Sequence, residues 1–89
     1  MLVIYPNPAK GESVQLLAPA YEGISDVRVE IYTSAFRKVQ NEIYPSVHSG
    51  TPVTIILKDR WGTPLANGLY YVVVTVNGNT SLGKLLILR

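Results

Sequence analysis

The 89-residue chain predicts an all-β sandwich of seven antiparallel strands, and three observations carry that reading. Turn-forming residues recur densely: Pro6-Asn7-Pro8, Lys10-Gly11, Ala18-Pro19, Gly23, Ser49-Gly50, Gly62, Pro64, Asn67-Gly68 and Asn77-Gly78. The segments between them are short and rich in β-branched residues, the spacing of a sandwich or barrel. No window holds a helical period free of Gly and Pro for about ten residues, so helix is expected to be nearly absent.

Strands are expected at residues 2–5, 13–18, 26–32, 38–44, 52–57, 69–76 and 80–88. In the third, Val27, Val29 and Ile31 alternate with Arg28, Glu30 and Tyr32, giving one core face and one wet face. Arg28 and Glu30 then belong to a solvated face rather than a site. Val14 and Leu16 turn inward in the second strand. In Leu69 to Val76 both faces are apolar, which places this strand centrally or under cover. Asn77-Gly78 supplies the positive-φ pair of a tight hairpin, so the last strand pairs antiparallel with it. There Leu82, Lys84, Leu86 and Leu88 share one face and Leu85 and Ile87 take the other. Such an apolar closing strand is expected to be covered or recognised.

One detail favours an immunoglobulin-like (fibronectin-III-like) sandwich over a small barrel. Leu65-Ala66-Asn67-Gly68 before Tyr70 reads as the corner preceding a sixth strand, where a tyrosine hydroxyl bonds back to the upstream backbone. Alternation with Val72 and Val74 selects Tyr70, with Tyr71 the other candidate.

Composition bounds the function. Residues 1–89 read as a single domain stabilised by its 47% apolar residues alone, since no cysteine offers a disulfide or a thiolate site. The net charge is +2, from eight Lys/Arg and six Asp/Glu spread thinly, so no nucleic-acid footprint is expected. No apolar run is long enough to span a bilayer, and the N-terminus lacks the features of a secretory signal. Pro45 to Gly50 reads as a turn, and His48 stands in it without a second histidine or a cysteine, so no metal is expected. The carboxylates are isolated and no nucleophile elbow is present, so the domain is read as non-enzymatic and free of cofactors. Asp59, with Asn67, has the residue types for calcium, but Asp at a loop start is more often a turn cap. Pro6-Asn7-Pro8 is read as shaping the chain's passage from a linker into the sandwich. Trp61 is expected to pack over the end of the sandwich, with ligand binding or an interdomain contact as alternatives.

Taken together, these pieces resemble two related families: the immunoglobulin-like domain of flagellar hook-capping proteins and the type A C-terminal sorting domain of type IX secretion substrates. The resemblance rests on Tyr5-Pro6-Asn7-Pro8-Ala9, Val27 to Tyr32, Arg37-Lys38-Val39, the run Asp59, Gly62, Pro64 to Gly68 and Tyr70, and Gly83 to Leu88. It departs at Thr33-Ser34-Ala35-Phe36, with Phe where the family has glycine, and at Ile56-Leu57-Lys58 in place of a Trp-Asp-Gly.

The resemblance implies the C-terminal module of a larger exported bacterial protein, placed at the cell surface or outside the cell and read by secretion machinery or neighbouring domains. It implicates Gly68, Tyr70, Gly83 and Lys84 in recognition. Strand addition at a free terminal edge supplies the physical reason, and the same edge allows a strand-mediated homodimer. Two other roles compete: a structural spacer or assembly module, and a carbohydrate-binding module of a secreted glycoside hydrolase using Trp61.

Overall fold

A computed structural model describes residues 1–89. Seven strands form, in chain order β1 (Val3–Tyr5), β2 (Ser13–Leu17), β3 (Ile24–Thr33), β4 (Lys38–His48), β5 (Val53–Ile56), β6 (Gly68–Val76) and β7 (Asn79–Ile87). They make two antiparallel sheets, ordered β1-β2-β5 and β4-β3-β6-β7. No helix forms, so none is long and apolar enough to cross a membrane.

The core lies between the sheets, where the inward rows predicted by alternation meet. Val27, Val29 and Ile31 of β3 pack with Val14 and Leu16 of β2, Val72 and Val74 of β6, and Leu85 and Ile87 of β7, all nearly inaccessible to water. β6 runs between β3 and β7, as its two apolar faces predict. Val76 pairs with Asn79 across an Asn77-Gly78 turn whose φ values are 52° and 78°. The left-handed pair matches the twist of the flanking strands.

One element differs from the sequence reading. β4 does not stop at Tyr44: it passes through Pro45 and ends at His48, which pairs with Ile24 rather than sitting in a turn. β4 is an edge strand, so a proline there need not cost a ladder bond. The register slips between Ser25 and Val27, Ser46 takes φ 54°, and its amide donates to Asp26 Oδ1 at 3.1 Å. A bulge carries the strand past the proline.

The sheets are tied along both flanks. On the β1–β7 flank the N-terminal arm changes sheets: after β1 pairs with β2, Ala9 bridges Ile87 in parallel. The Ala9 amide donates to Leu86 O at 2.7 Å and Leu88 N donates to Ala9 O at 2.9 Å. Asn7 behaves as another strand residue, donating through Nδ2 to Lys84 O at 2.8 Å and accepting at Oδ1 from Leu86 N at 3.1 Å. Pro6-Asn7-Pro8 is therefore part of the sandwich wall. On the β4–β5 flank, Gln40 Nε2 donates to Ile56 O at 2.8 Å and Lys58 O at 2.6 Å. Arg60 closes the same seam, its amide donating to Val39 O and its Nη2 to Lys38 O, each at 3.0 Å.

Candidate functional site

The recognition residues implied by the family resemblance lie where the corner loop and β6 meet the closing strand, yet they do different things. Gly68 opens β6 opposite Ile87 at φ 151°, a conformation that side-chain-bearing residues rarely adopt. Tyr70 is buried and its hydroxyl donates to Ala66 O at 2.6 Å, so the corner forms and Tyr70 makes it. Burial raises the Tyr70 phenol above its ordinary pKa, with Arg89 nearby pulling the other way. Gly83 faces inward beneath β1, and a Cβ there would stand 3.0 Å from Leu2 Cδ2 and 3.1 Å from Ile4 Cδ1. These three residues build the frame. Only Lys84 presents its side chain to solvent, opposite Tyr71.

Around Lys84 the outer face of β6 and β7 carries an apolar row. Leu82 is 64% exposed, Leu69 and Leu88 are also exposed, and Val73, Tyr71 and Leu86 lie half-buried between them. Leu82 pairs with Val73, and Leu86 with Leu69. The face extends to Phe36, whose ring stacks on Tyr71 with centroids 5.3 Å apart and planes 10° off parallel. Phe36 sits at φ 63°, a left-handed position where the family's usual glycine would be unstrained.

The edge of β7 is not free in the way strand addition requires. Asn7 and Ala9 already occupy the outward backbone groups from Lys84 to Leu88, leaving only the stretch near the hairpin open. Backbone alternation puts the N–H and C=O of Thr80 and Leu82 on that open part. The arm was hidden from sequence reasoning because its pairing partner lies nearly eighty residues away; an Asn between two prolines was the one available signal.

The corner loop and the chain's last residue form one unit. Asn67 Nδ2 donates to Arg89 O at 3.0 Å and Asn67 Oδ1 accepts from Arg89 N at 3.1 Å. The Arg89 guanidinium donates to Gly11 O at 2.9 Å and Leu65 O at 2.6 Å. Asp59 caps its own turn, with Oδ1 accepting from the amides of Trp61 and Thr63 at 2.9 Å each. Asp59 and Asn67 thus have separate partners. Nowhere do three His, Asp or Glu side chains converge.

Trp61 does not pack over the sandwich end. It is 74% exposed, and the Arg60 guanidinium lies over its ring, 5.2 Å from the centroid. The Asp59 cap and the Arg60 tie to β4 hold this loop outward, so the indole has no apolar surface to cover.

The class defined by the structure is an immunoglobulin-like sandwich with a tyrosine corner and a clasped closing strand. The chain belongs to the family described as the secretion system C-terminal sorting domain, whose model matches residues 3–88. The domain is a non-catalytic type IX sorting module that engages secretion machinery and marks proteins for the cell surface or extracellular space. The hook-capping half of the resemblance rests on the quoted residues alone.

Two solved structures share the fold, both from Porphyromonas gingivalis. Dimeric latent PorU superposes with a TM-score of 0.73 at 25% identity, over 99% of this chain and 9% of that one. PorZ, an essential surface component of the type-IX secretion system, gives 0.70 at 22% identity, over 99% of this chain and 11% of that one. The chain thus spans about a tenth of each neighbour's length. No curated protein matches the chain significantly.

Proposed function

We propose that the domain is the C-terminal module of a larger exported protein and that its reader engages the outer face of β7. The observation that carries this reading is the row Leu82, Lys84 and Leu86, continued by the exposed Leu88 just past β7: apolar residues around one cation, turned outward on a strand whose other face is core. A soluble domain has little reason to keep such a row uncovered unless a partner covers it. Gly68, Tyr70 and Gly83 then act by holding β6 and β7 in place, and Lys84 acts by contact. The apolar row supplies affinity, and the ammonium selects a partner with a carboxylate at that spot.

The test is export of a full-length parent, or of a reporter fused to residues 1–89, carrying Leu82→Asp or Lys84→Glu. Both positions are exposed, so circular dichroism should show an unchanged fold while export is lost. Normal export of both folded variants would leave the spacer role as the better account.

A second copy of the chain could use the short open edge at Thr80–Leu82, which carries the most exposed leucine of the row. Sedimentation at rising concentration tests this homodimer, and a monomer throughout would refute it.

A further inference from the structure

We propose that the chain preceding Met1 in the parent protein continues β1 as a strap across the end of the sandwich, seated in a hollow on the core side of the β6–β7 hairpin. The proposal rests on the reading of the domain as a C-terminal module and concerns how that module is joined to what precedes it.

The hollow arises because the two sheets are unequal in length. β1 starts only at Val3, and Leu2 and Ile4 reach no further along β7 than Gly83. Between Gly83 and the Asn77-Gly78 turn, Val74 pairs with Ser81 and Val76 with Asn79. Alternation sets all four on the core side of the hairpin. They form one wall of a hollow of about 270 Å³, with Ala20 and Tyr21 on the wall opposite.

Two registers set the course of the upstream chain. β1 pairs antiparallel with β2, Val3 with Leu17 and Tyr5 with Gln15. The residues preceding Val3 therefore fall opposite Ala18, Pro19 and then Ala20. Along β7 the arm runs parallel: Leu2 and Ile4 lie over Gly83, Asn7 bonds at Lys84 and Leu86, and Ala9 bridges Ile87. Upstream chain therefore advances from Gly83 toward Ser81 and Asn79. Both registers lead into the hollow.

Strand alternation fixes the contacts. Leu2 and Ile4 turn inward while Met1 is 93% exposed. The residue immediately before Met1 then turns in, toward Val74 and Val76. Ser81 and Asn79 offer polar side chains to the peptide groups of the strap. Tethering favours this occupant over a second copy, because a short linker holds its segment at an effective concentration on the order of millimolar. The outward row of Leu82, Lys84 and Leu86 stays clear, since the hollow lies on the other face of the same strand.

The experiment is NMR of residues 1–89, which enclose a complete core, and of the same domain carrying the parent's own preceding segment. Nuclear Overhauser contacts should join that segment to the Val74 and Val76 methyls, and the Asn79 and Ser81 signals should shift from their positions in residues 1–89. Ala20 is exposed, so Ala20→Arg should fold, block the hollow and abolish these contacts. A folded, extended domain without the contacts, contacts that persist unchanged in Ala20→Arg, or contacts that appear only as concentration rises would overturn the proposal. A native protein beginning at Met1 would overturn the module reading with it, whereas a longer parent lacking the contacts overturns the strap alone.

Discussion

Asn67 and Arg89 exchange two hydrogen bonds, through Nδ2 to the Arg89 carbonyl and Oδ1 from its amide, and so fasten the chain's last residue to the corner loop. With about 0.5–1.5 kcal/mol net for each bond, Asn67→Ala should lower stability by roughly 1–3 kcal/mol. Asn67→Asp keeps only the bond from the amide and should fall between the two. Urea midpoints measure this, with faster hydrogen exchange expected at Arg89. Equal stability of Asn67→Ala and the parent would mean the clasp contributes nothing.

The corner itself is tested by the hydroxyl that closes it. Tyr70→Phe removes the bond to Ala66 O and should cost about 1 kcal/mol. Tyr71→Phe removes a hydroxyl that has no protein partner and should be neutral. The reverse order in thermal melts would show that the corner tyrosine is misassigned.

Phe36 sets a backbone cost against an aromatic contact. A bulky residue in the left-handed region costs about 1–2 kcal/mol, while its stack on Tyr71 returns about 0.5–1.5 kcal/mol. Phe36→Gly should therefore change stability by less than about 1 kcal/mol. In a Tyr71→Ala background the same change should be stabilising, because only the strain remains to be relieved. An identical effect in both backgrounds would dismiss the stack as an energetic contact.

Glu30 and Lys38 form the one ion pair of the domain, at 2.8 Å, with the Tyr32 hydroxyl also donating to Glu30 at 3.2 Å. The Lys38 hydrogen bond is the main cause of the lowered Glu30 pKa, and the same contact raises Lys38. Glu30 is depressed on folding, so its stabilisation is complete above the unfolded value near 4.3 and is lost as pH falls through the lower folded value. Lys38 is raised, so its share is complete below about 10.4 and is lost as pH rises through the folded value. Thermal melts of Glu30→Gln should lie below those of the parent at neutral pH and converge with them at both extremes. A gap that stays constant with pH would rule out the ion pair as its source.

Gly83 and Lys84 are neighbours with opposite expected phenotypes. Gly83→Val drives a branched side chain into Leu2 and Ile4 and should cost about 1–3 kcal/mol as overpacking. Lys84→Glu should leave stability within about 0.5 kcal/mol of the parent while abolishing export. If Gly83→Val melts normally, the close approach of β1 is not what requires a glycine there.

The sequence by itself determined the strands, their order of pairing at the C-terminus and the inward rows. These are local properties: a period of two, a left-handed Asn-Gly pair, and a Tyr a fixed distance from its corner. The family resemblance named Gly68, Tyr70, Gly83 and Lys84, but neither it nor any local pattern could tell frame from surface. That distinction depends on what lies across the sandwich, with β1 over Gly83 and Ala66 within reach of Tyr70. Only the tertiary structure decided three further matters. The arm at Asn7 and Ala9 closes most of the β7 edge, β4 runs on past Pro45, and Trp61 stands out in solvent. Each arises from contacts between segments distant in the chain, on which no local pattern bears. Gln40 shows the limit most plainly: nothing in Lys38-Val39-Gln40-Asn41 marks a buried amide, until Ile56 at the end of β5 and Lys58 just past it supply the two carbonyls that hold it.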